Sequence, residues 1–451
     1  MANPIPYAGV RSLVRLLLAI FYRRIEVAGA ERIPEGGPLI VAANHHNSVV
    51  DAMLLLAVVP RTLRTLAKAS LFRHPLIGPF LHLLGALPVH RREEAGNDPA
   101  RNADLFAATT ATLRAGGAIL IFPEGRTQAE PVLLALRTGA ARMLLAAESS
   151  EGCAPVALLP VGLVFHDPGT FRAGRALVLV GSPIPAADAR ALAAAGAPEE
   201  AVRLLTDRLS EALRALIVEA DDRRTLRLLE LVEELWQEEA EVRPGDEKER
   251  VAWMQRAMRT YRVVLEAEPG RMAALRQELE GFALEMDRAG FAARQLSHHY
   301  SPAVVARFAC REGLPLLFGA PLALLGIGAH AIPYHLTAWT VRLLDRTAEE
   351  EATDKIAAGL LLYPLAWTAE ALGVLRLAGG WALTVFLLTL LPLGFFAVAW
   401  RERLDRVAHE VRAFVRFLLD RDLPGRLRAR RQALAGELRA LARAVPELWP
   451  E

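Results

Sequence analysis

The sequence predicts an α/β protein, with a mostly parallel sheet covered by helices, followed by an α-helical region with a membrane-embedded hairpin. Three observations predict it. Between residues 25 and 217, short and nearly all-apolar runs alternate with helical patterns. A strand that is apolar on both faces belongs in a parallel sheet with helices on both sides. From 198 to 295, apolar residues recur at helical spacing instead. Finally, Gly313 to Val341 and Leu377 to Trp400 contain no Asp, Glu, Lys or Arg, and Ile356 to Leu375 contains only Glu370.

In chain order, residues 1–24 carry Arg11, Arg15, Arg23 and Arg24 and no acid. Their apolar core is too short to span a bilayer and lacks a small-residue cleavage site. A basic amphipathic helix on a membrane surface fits them, as does a first helix packed on the core. Residues 25–217 form the first domain. Strands are predicted at Leu39–Ala43, Leu63–Ala67, Ala86–Val89, Ala118–Phe122, Val156–Val164 and Ala176–Val180, with helices at Asp51–Val59, Leu71–Leu84, Ala103–Leu113 and Val132–Ala147. Chemistry in such sheets collects in loops at strand ends.

Residues 218–310 read as a helical module punctuated by Pro244-Gly245 and Pro269-Gly270. Residues 311–400 read as hydrophobic membrane-associated helices. Pro315, Pro321 and Pro333 predict a re-entrant or kinked first run, and Leu-Ala-Gly-Gly at 377 to 380 a hairpin turn between the other two. The alternative is a large buried helical core. Residues 401–451 form a basic helical tail, whose arginines suit the cytoplasmic side of a membrane.

At 53% hydrophobic, with a mean hydropathy of +0.24, the chain is apolar for a soluble protein. A net charge of +2 gives no polyanion-binding surface, so no nucleic-acid partner is expected. Cys153 and Cys310 stand far apart, against a disulfide framework or a cysteine-rich zinc site.

The first motif is Asn44-His45-His46-Asn47-Ser48-Val49-Val50-Asp51, after the apolar run LIVAA. On a straight helix, His46 and Asp51 would lie ~140° apart around the axis. If a helix starts at Ser48, a good N-cap, Ser48-x-x-Asp51 resembles a capping box, and the carboxylate reaches back to the His46 imidazole. Asp51 as a plain helix cap is the competing reading. No nearby third ligand completes a metal site. The second motif, Gly85 to Arg91, ends a short strand on a cation suited to phosphate. The third is Phe122-Pro123-Glu124-Gly125-Arg126-Thr127-Gln128, a strand exit with a stiff proline and a permissive glycine. There Glu124 suits a substrate hydroxyl or an arginine, and Arg126 a phosphate. The fourth, Val156 to Gly162 with Pro160, carries no reactive group.

In this order and at these separations, the four stretches resemble the blocks of the glycerolipid acyltransferase superfamily, which acylates lysophosphatidate and glycerol-3-phosphate. "GPLIVAANH", "LAKASLF" with Lys68, and "LRTGAARML" resemble its connecting segments. The resemblance covers roughly residues 8 to 217. Many relatives continue Phe-Pro-Glu-Gly with Thr-Arg-Ser, whereas Arg126 stands one position earlier here.

The resemblance implies acyl transfer from an acyl-CoA or acyl carrier protein thioester to a glycerol phosphate hydroxyl. His46 is expected as general base and Asp51 as its orienting acid. Arg91 and Arg126 are expected on the acceptor phosphate, Glu124 and Gly125 shaping that pocket, and Lys68 or backbone N–H groups on the oxyanion. No metal or nucleotide cofactor is called for. A phospholipid membrane is the expected partner, with the protein at the cell membrane and its active site on the cytoplasmic face. A hydrolase using the same pair on water and a non-catalytic lipid-binding scaffold are the alternatives.

Overall fold

The computed structural model describes residues 4–73, 77–90, 99–128, 130–149, 154–166, 171–172, 174–240, 247–289, 306–344, 350–420 and 422–449. The chain divides into two compact units. One is Met1–Arg223 with Gly245–Gln255 and Arg346–Ala357; the other is Arg224–Pro244 with Arg256–Asp345 and Ala358–Glu451.

The first unit is built on strands β1 (Arg24–Ala28), β2 (Leu39–Ala43), β3 (Leu63–Lys68), β4 (Leu87–Val89), β5 (Ala118–Ile121), β6 (Ala157–His166) and β7 (Arg175–Val180). They form one seven-stranded sheet in the order β1-β7-β6-β2-β5-β3-β4, antiparallel only at β6–β7. The expected mostly parallel sheet is what the chain forms. β6, β2, β5, β3 and β4 all run the same way, so their carboxyl ends share one edge.

Its helices are α1 (Pro4–Phe21), α2 (Ser48–Val58), α3 (Ile77–Leu83), α4 (Pro99–Arg114), α5 (Gly139–Glu148), α6 (Ala187–Ala194) and α7 (Pro198–Arg214). β2 is buried at every residue because both its faces are covered. Leu39, Val41 and Ala43 pack with Val14 and Leu18 of α1 and Leu54 and Leu55 of α2. Ile40 and Ala42 pack with Leu113 of α4, Leu144 of α5 and Leu205 of α7.

Three elements differ from expectation. β1 has no apolar run to announce it: in RIEVA, Arg24 and Glu26 pair with each other at 2.7 Å on an edge strand. The helix expected from Val132 starts only at Gly139, since 131–138 run as irregular chain. Residues Ala69–Arg73 form a separate 3₁₀ turn before α3.

Tyr7, Val10, Val14, Leu18 and Phe21 of α1 recur at helical spacing and are buried in the core. Arg11 and Arg15 donate to the carbonyl of Ala57. The core reading of this helix thus accounts for one face.

In the second unit, Leu235, Val264, Met272, Leu275, Leu279 and Phe282 form a core with Leu427, Leu434, Leu438 and Leu441. They come from α8 (Arg223–Ala240), α9 (Glu247–Ala267), α10 (Pro269–Ala289) and the last long helix, Leu423–Ala444. The end of the basic segment is therefore packed structure, because its leucines form one stripe among the arginines. The Trp449 indole donates to Thr260 Oγ1 at 2.8 Å and seals this core beside Trp236.

The apolar runs form α11 (Leu314–Leu344) and α12 (Glu351–Leu419), and the closing helix Leu423–Ala444 is α13. α11 runs as one helix over Leu314–Leu344 with Pro321 and Pro333 inside it. α12 changes direction at Gly379, whose φ of 81° and ψ of −178° only glycine adopts readily. This kink lies within residues 377–380. Segments Ala306–Leu344 and Glu351–Arg416 are long and apolar enough to cross a membrane. Only 22% and 11% of their most apolar windows are buried, which does not describe a buried helical core.

β2 is followed by Asn44, fully buried. Its Nδ2 donates to the Leu163 carbonyl at 2.8 Å, and the Leu163 N–H donates to its Oδ1 at 2.7 Å, extending the β2–β6 ladder through a side chain. Asn44→Ala leaves two buried backbone groups unpaired. It is expected to lower the unfolding free energy by about 2–4 kcal/mol, read from urea titration.

Candidate active site

β2 and β5 are parallel neighbours, with Ala42 opposite Ile121, so the loops after them emerge side by side. The first loop, Asn44 to Asn47, runs into α2, whose first turn carries Asp51. An acid suits a helix N-terminus, where unpaired N–H groups point outward. Asp51 is wholly buried, and its Oδ2 gathers three donors at 2.8 Å each: the His45 ring Nδ1, the His46 N–H and the Asn47 N–H.

The imidazole that meets Asp51 is thus His45. The spacing argument expected His46, which instead offers only its backbone N–H to the carboxylate. The His46 ring turns to the second loop, with Nδ1 3.1 Å from the Gln128 carbonyl. The N-cap is Asn47 rather than Ser48, which stands at φ 46°. This one-residue displacement folds the His45 ring, not that of His46, over the helix start.

The second loop holds the first. Phe122 stacks flat on the His45 ring, with centroids 4.0 Å apart and planes at 13°. The Gln128 N–H donates to the His45 carbonyl at 3.2 Å. Glu124 is buried, and its oxygens accept from the His45 N–H at 2.7 Å and the Leu134 N–H at 3.0 Å. Burial pushes this carboxyl above its ordinary value, opposed first by the Leu134 N–H and then by the neighbouring histidines. Glu124 therefore clamps the loops, and the irregular stretch before α5 exists to bring Leu134 to it.

Gly125, at φ +73°, lets the Arg137 side chain lie against the turn; a Cβ there would stand 2.5 Å from Arg137 Nε. Arg126 is exposed, and Lys68 is half-buried at the carboxyl end of β3 beside β5. Arg91 lies outside the described residues, as does Cys153. Sequence reasoning missed Phe122 as a ring platform, Arg137 beside Gly125, and Asn47 and Tyr22 behind the pair. Contacts between segments distant in sequence reveal Phe122 and Tyr22, and the close packing of Arg137 on Gly125 reveals that arginine. Among the described residues, no group of three or more His, Cys, Asp and Glu could hold a metal ion.

The Asp51 oxygen already accepts two N–H groups, so it acts as an acceptor and Nδ1 of His45 carries the hydrogen. That leaves Nε2 as the basic nitrogen, with no hydrogen bond among the described residues, on a side chain that is 14% exposed. The Acyltransferase family model matches residues 24–164, which run from β1 to within β6 and contain this whole site. This segment is an acyltransferase domain.

An uncharacterized acyltransferase of Schizosaccharomyces pombe is 25% identical over 309 residues, 50% of this chain and 46% of that protein. Glycerol-3-phosphate O-acyltransferase 2 of Saccharomyces cerevisiae is 29% identical over 136 residues, 30% of this chain and 18% of its own length. A 1-acyl-sn-glycerol-3-phosphate acyltransferase of Bacillus subtilis is 25% identical over 194 residues, 43% of this chain and 87% of that enzyme. The match thus spans less than half of the two yeast relatives, and most of the bacterial one.

Two outcomes follow for the acyltransferase domain. Gly125→Ala forces a side chain into left-handed backbone and is expected to destabilise the domain by about 1–2 kcal/mol in urea titration. Glu124 has a folded-state pKa raised above 4.5, so its contribution is full below that value and is lost as pH rises through the folded pKa. The unfolding free energy of wild type minus that of Glu124→Gln is therefore expected to fall as pH is raised from 4.5, measured across a pH series. A flat or rising difference contradicts the raised pKa.

Proposed function

We propose that this domain moves a fatty acyl chain from an acyl thioester, acyl-CoA or acyl carrier protein, to a hydroxyl of lysophosphatidate or glycerol-3-phosphate in phospholipid synthesis. The observation that carries the proposal is the 2.8 Å contact of His45 Nδ1 with buried Asp51, which leaves Nε2 as the base. An alcohol is a poor nucleophile at neutral pH. Nε2 takes the hydroxyl proton as the oxygen attacks the thioester carbonyl, and Asp51 stabilises the imidazolium. When the tetrahedral intermediate collapses, the thiolate leaves and takes that proton, giving ester and free thiol. The thioester is already activated, so the reaction needs no metal or nucleotide cofactor.

The oxyanion requires donors. The N–H groups of His45, His46 and Asn47 are already committed to Glu124 and Asp51. That directs the role to the N–H groups of Ser48 and Val49 at the start of α2, or to Lys68. Arg126 and Arg91 serve the acceptor phosphate. The two long apolar helices hold the protein in the cell membrane with the active site on its cytoplasmic face, where the arginine-rich segment after Trp400 meets anionic lipid.

The test is full-length protein with labelled acyl-CoA, with and without lysophosphatidate or glycerol-3-phosphate. Acceptor-dependent lipid product is expected; free fatty acid instead indicates a hydrolase, and no turnover a scaffold. His45→Ala is expected to lower turnover by about 10² to 10⁴-fold. His46→Ala is expected to cost roughly tenfold or less, because its ring makes one hydrogen bond worth ~1 kcal/mol. The reverse order of the two variants would return the base to His46.

A further inference from the structure

The loop that carries His45 is strained. Ser48 sits at φ 46°, in the left-handed region that a residue with a Cβ avoids, at a cost of ~1–3 kcal/mol. Such a conformation persists only where its surroundings over-determine it. On the backbone side, Asp51 Oδ2 holds the N–H groups of His46 and Asn47. Asp51 Oδ1 is buried with no hydrogen-bond partner among the described residues, so the aim of the carboxylate rests on Oδ2 alone. Whatever fixes Asn47 therefore fixes one of the three donors that steer Asp51 onto the imidazole.

Asn47 is fixed from its side chain. It is 1% exposed, and its Nδ2 donates to the Tyr22 hydroxyl at 2.8 Å. Tyr22 is equally buried. Its N–H is bonded to the Leu18 carbonyl at 2.8 Å, and its ring lies 5.2 Å from that of Phe21 and 6.2 Å from that of Phe165. A phenol anchored this way is a rigid post for the amide. Burial, and then the charge of Asp51, push its pKa upward, so it stays a neutral hydroxyl.

We infer that Tyr22, just beyond the end of α1, is a positioning residue for the His45–Asp51 pair, acting through the Asn47 amide. The inference rests on the proposed role of that pair in acyl transfer. The path is continuous: hydroxyl to side-chain amide, the same residue's backbone N–H to Asp51 Oδ2, and Oδ2 to His45 Nδ1. Without the hydroxyl, a buried amide donor loses its partner and Asn47 is free to turn. Its N–H then leaves Oδ2, and the imidazole loses its fixed orientation. The pair, and any oxyanion donors at Ser48 and Val49, act in the chemical step, whereas Arg126 on the other loop serves the acceptor phosphate, so the loss falls on kcat.

The experiment is a kinetic comparison of full-length wild type, Tyr22→Phe, Asn47→Ala, the double variant and His45→Ala, using oleoyl-CoA and whichever of lysophosphatidate and glycerol-3-phosphate the wild type acylates. Tyr22→Phe keeps the ring contacts with Phe21 and Phe165 and so preserves the fold, checked by its thermal midpoint. It is expected to lower kcat about 10- to 100-fold while KM for either substrate moves by less than about threefold, as for a misplaced catalytic group. The double variant is expected to be no slower than Asn47→Ala, since both act on one path. Wild-type kcat in Tyr22→Phe, a change confined to KM, or fully additive losses would overturn the inference. His45→Ala separates the two levels: if it retains activity, the base assignment fails and this inference with it. If it is inactive while Tyr22→Phe is normal, only the positioning role fails.

Discussion

One carboxylate oxygen organises the site. Asp51 Oδ2 accepts from an imidazole and from two successive backbone N–H groups, all at 2.8 Å, in a wholly buried position. Taking a carboxylate out of water is costly unless its lone pairs are filled, so the three donors are a condition of its being there. The same requirement dictates the strand-to-helix turn. Donors at His46 and Asn47 can converge only if the chain curls tightly before α2, and that curl places Ser48 at φ 46°. The turn in turn throws the ring of His45 inward.

The sheet supplies the second half of the geometry. Parallel neighbours deliver their exit loops to the same edge, so the β2 and β5 loops meet without any long excursion. Glu124 then binds the His45 N–H, Gln128 binds the His45 carbonyl, and Phe122 covers the ring. Each contact is local to one of two adjacent strand ends. Together they hold the imidazole from its backbone, its face and its Nδ1, and the remaining ring nitrogen is the one the proposed reaction uses.

This explains what could be read from residues alone. The sheet was legible because β2, β5 and β6 are apolar on both faces, a pattern a helix-covered parallel strand requires. β1 was not, because an edge strand carrying an Arg24–Glu26 pair shows no such run. The partnership of a histidine with Asp51 was legible, and so was the helix start between them. The identity of the histidine was not, because spacing along the chain assumes Ser48 is an ordinary N-cap. A single left-handed residue shifts the register by one. Glu124 was legible as important but not as a clamp, since its partners, His45 and Leu134, are 79 and 10 residues away in sequence. In the second unit, prolines at 321 and 333 sit inside one helix, and the long apolar runs and the glycine kink at 379 lie where the sequence pattern changes.

The division between fixed and adjustable parts has a chemical logic. Every residue around His45 is committed to another: Asp51 to three donors, Glu124 to two, Asn47 to Tyr22. Arg126 differs, since it is exposed on the loop after Glu124. In the proposed reaction, proton transfer tolerates little displacement, because the reacting atoms must meet within a few tenths of an ångström. A phosphate tolerates more, because its charge can be met by an arginine arriving from several directions. On that proposal, the one-position displacement of the arginine from the Phe-Pro-Glu-Gly-Thr-Arg-Ser pattern of the resembled superfamily changes how an acceptor is held while leaving the base where it is. Acceptor choice can drift at the rim of such a site as long as the buried oxygen of Asp51 keeps its three donors.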